Sequence, residues 1–222
     1  GAFLEEPKIE GLRNIFSPRS IAIVGASEDR KKLGNRVLEN LMKRGYSGKI
    51  YPVNPHANEI LGLRVYRNLK DIPDTLDLVV LVVPEPAVVP VLEECLQKGV
   101  KAAVLIAAGF AETGDNGRKK QDSLVRIARQ GLRLVGPNCE GVLNSAARVD
   151  LTFAAKSPPP GSIAFISQSG ALGANTIFRW ASERSVGISL FSSIGNEADL
   201  CSSDYLEYFA RDPETKVIAM YL

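Results

Sequence analysis

The chain has 222 residues, 45% hydrophobic and 23% charged, with 27 Lys and Arg against 25 Asp and Glu for a net charge of +2. That balance excludes wholesale disorder, and without a long basic run there is no electrostatic footprint for a nucleic acid or a membrane surface. Three scattered cysteines and a single histidine, His56, exclude a histidine-rich zinc site, give no metal-ligand spacing and suit a reducing, cytoplasmic compartment.

At the N-terminus Phe3-Leu4 is followed at once by Glu5, Glu6 and Lys8, which does not read as a secretory signal. Short β-branched runs then alternate with helical patterns. The sequence predicts strands at Ser20–Val24, Lys49–Val53, Leu78–Val83, Ala103–Ala107 and Arg133–Val135, and a second series at Ile163–Ile166, Gly187–Ser192 and Lys216–Tyr221. Helices are predicted near Gly34–Arg44, Ala87–Lys98, Gly117–Gln130, Ala171–Arg184 and Ser203–Arg211. Within 87–98, Val88, Val91, Leu92 and Cys95 fall at three- and four-residue steps on one helical face. Leu78–Val83 is apolar without alternation, as in a parallel strand covered on both faces. The longest apolar run, Leu76 to Pro84, is interrupted by Asp77 and is too short to span a bilayer. The strand–helix alternation predicts a doubly wound α/β fold.

A boundary is expected in the stretch from Leu143 to Gly161, where Pro158-Pro159-Pro160 cannot continue a helix. The reading gives a first domain over 10–146 and a second over 147–222. The second has only three predicted strands and two helices before the chain stops, so it is expected to be an incomplete domain.

In doubly wound sheets ligands bind beyond the carboxyl ends of the strands. After the first strand comes Gly25-Ala26-Ser27, then Arg30, Lys31 and Lys32, then Gly34 at the start of a helix. Gly25 permits a sharp turn, Ser27 offers a hydroxyl and the three cations favour an anion beside a helix N-terminus. This reads as a phosphate-binding loop, or as a hydrophilic loop with solvated cations. It is not G-x-G-x-x-G, since Ser27 holds the second glycine position, and no acid follows the second strand at Val53-Asn54-Pro55-His56. No P-loop motif occurs. NAD and ATP are therefore disfavoured as direct ligands.

Val83-Pro84 and Ala108-Gly109 end the third and fourth strands with small, turn-forming residues that either line a groove or make ordinary turns. In Gly136-Pro137-Asn138-Cys139-Glu140-Gly141, Asn138 tolerates a tight turn, while Cys139 has no base to activate it and reads as a buried small residue. Ser167-Gln168-Ser169-Gly170 opens a predicted helix and reads either as an anion site or as a helix cap at Ser169. It is not a hydrolase elbow, because Ser167 replaces its first glycine and His56 lies far upstream.

Taken in order, Ser20–Ser27, Tyr51-Pro-Val-Asn-Pro55, Gly136-Pro-Asn-Cys139, Ser167–Gly173, Gly195-Asn-Glu-Ala-Asp199 and Asp212–Ile218 resemble the NDP-forming acyl-CoA synthetases. The likeness is to the α-type region of ADP-forming acetate–CoA ligase, related to the succinyl-CoA synthetase α subunit. It implies a Rossmann-like CoA-binding domain followed by an incomplete flavodoxin-like domain. It assigns Gly25, Ala26, Ser27, Val53, Asn54 and Pro55 to the nucleotide end of coenzyme A, with Arg30, Lys31 and Lys32 beside them. It assigns Val83, Pro84, Ala108 and Gly109 to the groove, Asn138 and Cys139 to the thiol end, and Ser167, Gln168, Ser169 and Gly170 to a phosphorylated histidine.

The implied reaction converts acid, CoA and ATP to acyl-CoA, ADP and phosphate through an acyl phosphate and a phosphohistidine. The resemblance makes the parent an acid–thiol ligase. It places the phosphohistidine and its supporting Glu past Leu222, so this fragment is expected to hold no catalytic residue and to be inactive alone. ATP or ADP would act only through an ATP-grasp subunit or domain. CoA or acyl-CoA is the implied ligand, no metal, nucleic acid or membrane is expected, and a homo-oligomer is left open. Glu140 and Leu200-Cys201-Ser202-Ser203 depart from the family pattern. A competing reading is a ligand-sensing, CoA-binding-type regulatory region of a protein lysine acetyltransferase.

Overall fold

The computed structural model describes residues 4–169 and 172–222. The chain begins with α1 (Glu6–Phe16), β1 (Ser20–Val24), α2 (Leu33–Lys43), β2 (Lys49–Val53) and a small hairpin of β3 (Glu59–Ile60) and β4 (Leu63–Arg64). It continues with β5 (Leu78–Leu81), α3 (Val88–Lys98), β6 (Ala102–Leu105), α4 (Asp115–Ala128) and β7 (Arg133–Val135). The remainder comprises β8 (Gly141–Asn144), β9 (Val149–Thr152), β10 (Pro160–Ser167), α5 (Ala174–Glu183), β11 (Ile188–Ser193), α6 (Ser202–Ala210) and β12 (Val217–Tyr221).

The first sheet has the order β2-β1-β5-β6-β7 and every pairing in it is parallel. Strands β1, β5 and β6 are buried at every residue, as expected when helices cover both faces. The strand order reverses beside β1, which makes the β1/β5 edge the switch point. Val24 is level with both Val53 and Leu81, so Gly25, Asn54 and Val82 emerge on one rim. Two bonds fix that rim: Gly25 N–H donates to Val53 O at 3.1 Å, and Val82 N–H to Val24 O at 2.8 Å.

The second sheet is mixed, with the order β12-β10-β11-β8-β9. Strands β12, β10 and β11 run parallel, whereas β8 is antiparallel to β11 and to β9. The expected cut between residues 146 and 147 falls in the turn of the β8–β9 hairpin, and both strands of that hairpin join this second sheet. The sequence pattern does not announce this hairpin. Its strands are short and carry Asn144 and Asp150, and the partner of β8 is β11, remote in sequence.

Helix α1 was also not predicted. Its buried residues Leu12, Ile15 and Phe16 face one way, and Pro7 sits in its first turn where the missing N–H costs nothing. The Phe16 ring meets Phe209 edge-on at 5.2 Å. Burying a side chain of this size is worth about 2–3 kcal/mol. One apolar cluster contains Ile21, Val37 and Leu78 together with Ile166, Leu190 and Tyr205, so both sheets share a core. Helix α2 reinforces the junction: Asn40 Nδ2 donates to Thr152 O and Ala154 O, and Arg44 to the Ser145 and Ser157 hydroxyls.

Candidate functional site

The loop from β1 to α2 is held by its own side chains, which accept from its backbone amides. Ser27 Oγ accepts from Asp29 N–H at 3.1 Å, and Asp29 Oδ1 accepts from Lys31 N–H at 2.9 Å. Gly25 has φ +93°, and a Cβ there would lie 2.0 Å from Val82 O. A Cβ on Gly34 would lie 1.9 Å from Gly25 O, so the helix start is pressed onto the loop. The residue preceding α2 is Lys32, and no side chain caps the helix. Lysine has no side-chain acceptor to offer, and in the first turn of α2 the Asn35 amide donates to Lys32 O at 3.1 Å.

A cavity of about 450 Å³ lies at this rim, lined by Gly25, Lys31, Lys32, Gly34, Val83 and Pro84, and on its far side by Ile106, Ala107 and Ala108. The structure thus gathers Gly25, Lys31, Lys32, Val83, Pro84 and Ala108 from three strand ends. Ala26, Ser27, Arg30, Val53, Asn54, Pro55 and Gly109 are not on that wall. Asn54 serves the loops instead: its Nδ2 donates to Ala26 O at 2.8 Å, and its Oδ1 accepts from the amides of His56 and Ala57. His56 is exposed on that turn.

A second cavity of about 400 Å³ adjoins the first through the shared walls Leu33 and Ile106. It is lined further by Asn138, Cys139, Glu140, Phe153, Gln168 and Asn196. Together the two form a groove from the cationic rim of the first sheet to the turn after β7 and the end of β10. Asn138 has φ +57°, in the left-handed region that asparagine tolerates. The Cys139 thiol donates to Leu105 O at 3.3 Å, and burial pushes its pKa up to about 12, so it is a wall and not a nucleophile.

Ser167 is buried, and its hydroxyl donates to Ser169 O at 3.1 Å. Ser169 Oγ accepts from Leu172 N–H at 3.2 Å, in the turn ahead of α5. Helix α5 itself starts after Gly173, which has no side chain with which to cap it. Gly170 lies outside the described residues. Of this loop, Gln168 reaches the second cavity.

Sequence reading did not foresee Leu33, Ile106 and Phe153 as groove residues, nor the clamp formed by Glu112. Glu112 accepts from the Gly109 and Phe110 amides and, through its other oxygen, from Asn196 Nδ2. Burial works against its charge, but these bonds outweigh it and hold the carboxyl below the usual glutamate range. The clamp ties the loop after β6 to the loop after β11. Among the described residues no cluster of His, Cys, Asp and Glu is arranged to hold a metal, and no helix is long and apolar enough to cross a membrane.

Residues 19–145 match the CoA binding domain family, and residues 160–222 match the succinyl-CoA ligase like flavodoxin domain. The chain is 47% identical over 208 residues to the acetate–CoA ligase (ADP-forming) II subunit alpha of Pyrococcus furiosus, an overlap covering 93% of this chain and 45% of that protein. It is 44% identical over 212 residues to the acetate–CoA ligase (ADP-forming) of Methanocaldococcus jannaschii, covering 95% of this chain and 29% of the relative. The dinucleotide forming acetyl-coenzyme A synthetase 1 of Ca. Korarchaeum cryptofilum, solved with phosphate and ADP, superposes with a TM-score of 0.91 at 43% identity, over 96% of this chain and 46% of that one. The chain spans less than half the length of these relatives. With both domains matched in order, and with the groove at the switch point of the first, the chain belongs to the CoA-binding domain family and has the α-type architecture of the ADP-forming acetate–CoA ligases.

Proposed function

We propose that this chain is the CoA-binding portion of an ADP-forming acyl-CoA synthetase, whose parent joins an acid to CoA with ATP. The observation that carries the reading is the pair of adjoining cavities that share Leu33 and Ile106. An uncapped helix start with Lys31 and Lys32 suits the phosphates of CoA at one end. The walls Val83, Ala108, Leu33 and Ile106 suit a slender, mostly apolar arm, and the Asn138–Glu140 turn with Gln168 receives its far end. Here Asn54 acts as a positioning residue for the Ala26 loop, and the Ser167–Gly170 loop is the proposed site for a phosphoryl group. An ATP-grasp subunit or domain is the proposed partner.

Calorimetric titration tests the ligand. CoA should bind, and NAD should bind far more weakly, since no acid follows β2 to hold a ribose diol. Equal or tighter binding of NAD would overturn the assignment. The chain by itself should not form a thioester from acid, CoA and ATP. Its one imidazole, His56, is on the exposed turn after β2, away from the Ser167 loop of the second sheet. Labelled ATP should leave the chain unlabelled; acid-labile label that vanishes in His56→Ala would make His56 the phosphoryl carrier and sink this part of the proposal.

A further inference from the structure

The second cavity contains one charged side chain, Glu140, among Asn138, Gln168, Asn196, Leu33 and Phe153. Among the described residues its Oε2 is buried and has no hydrogen-bond partner. The backbone N–H of Glu140 is already used, donating to Ser193 Oγ at 2.9 Å, which fixes where the residue sits. An unpaired carboxylate oxygen inside a protein is costly, because it has lost water and gained nothing in return. What differs between one acid–CoA ligase and another is the acyl group, and the far end of the groove is where that group would lie.

We infer that Glu140 determines acyl specificity, its buried oxygen pairing with a hydroxyl on the acyl chain, so that the substrate class is hydroxylated carboxylic acids and not plain alkanoic acids. This rests on the proposed CoA groove. Burial pushes the Glu140 carboxyl up, towards its neutral form, while the Ala174 amide at the start of α5 pulls the other way. A hydroxyl serves both forms, since it donates to the carboxylate and accepts from the acid. An alkyl chain would leave the oxygen as unpaired as it is without a ligand.

The test is calorimetry on this chain with four ligands: free CoA, butyryl-CoA, 3-hydroxybutyryl-CoA and 4-hydroxybutyryl-CoA. At least one hydroxylated ester should bind about ten- to a hundredfold more tightly than butyryl-CoA, the range for a hydrogen bond to a charged group. In Glu140→Leu that preference should vanish, the hydroxylated esters binding no more tightly than butyryl-CoA. If wild-type chain binds neither hydroxylated ester better than butyryl-CoA, the inference falls, whatever the variant does. A preference that survives in a folded Glu140→Leu variant also overturns it. Failure of free CoA to bind the wild-type chain would instead strike the groove assignment itself.

Discussion

The chain builds a strand–loop–helix unit at each half of its groove, and the two units treat the helix start in opposite ways. Between β1 and α2, the helix is preceded by Lys32 and a second cation, Lys31, both exposed and on the cavity wall. Between β10 and α5, the hydroxyls of Ser167 and Ser169 are engaged within the loop, and the Ala174 amide faces the Glu140 carboxyl. The same local geometry thus gives one end set with two exposed lysines and one end that already has a carboxyl beside it. A helix start is a polarised set of amides; what neighbouring segments bring to it decides the use.

The sharpest way to break the contrast is Gly25→Val. A side chain there meets Val82 O at 2.0 Å in a backbone with φ +93°, so both the loop and the switch-point pairing must move. We expect a loss of ~3 kcal/mol or more in denaturant unfolding, together with loss of CoA binding. Gly62→Ala is the control: it shares the positive φ, +80°, but nothing lies within 4 Å, so it should cost only the ~1–2 kcal/mol of a left-handed alanine. An unchanged CoA affinity in Gly25→Val would move the site away from this rim.

The cationic end is sharpened by Lys31→Ala/Lys32→Ala. Both side chains are exposed, so the double variant should leave stability unchanged. CoA affinity should fall about tenfold at low ionic strength, with the difference narrowing as salt is added. A salt-independent loss would mean that packing and not charge is what the lysines supply.

At the other end, Ser169→Ala removes the acceptor for Leu172 N–H and should destabilise the chain by about 1 kcal/mol. Sulfate or phosphate separates the two uses of this loop. If the anion stabilises wild type and not the variant, Ser169 holds an anion; if it stabilises neither, the side chain only closes the turn ahead of α5.

The smallest effect concerns the Glu112 clamp between the two halves. Its folded pKa is lowered, so its stabilising contribution is complete above the ordinary glutamate range and is lost as pH falls through the lowered folded value. Melting temperatures of wild type and Glu112→Gln should therefore differ most near neutral pH and converge in acid. A gap that widens on acidification would reverse the sign and exclude these bonds as its source.

Much of the first half could be read from residues alone. Ser20–Val24 and Lys49–Val53 have the predicted bounds: β1 is buried throughout, and β2, at the sheet edge, is buried from Tyr51 on, each ending in a short apolar run before a turn residue. Gly25 was identifiable because a strand end that must turn at positive φ takes glycine. Helix α1 had a readable signal in Leu12, Ile15 and Phe16, although its burial depends on α6, at the other end of the chain.

Sequence by itself determined the strand–helix alternation, the switch-point loop with its cations and the order of motifs, since each depends on residues near one another in the chain. Tertiary structure alone decided that β8 and β9 belong to the second sheet, that Asn54 points into its own loops, and that Leu33, Ile106, Phe153 and Glu140 meet in one groove. The physical reason is that pairing and burial are made between segments far apart in sequence. A four-residue strand carrying a polar residue has no periodicity long enough to announce its partner. A buried carboxyl oxygen is recognisable as unpaired only when everything around it has been placed.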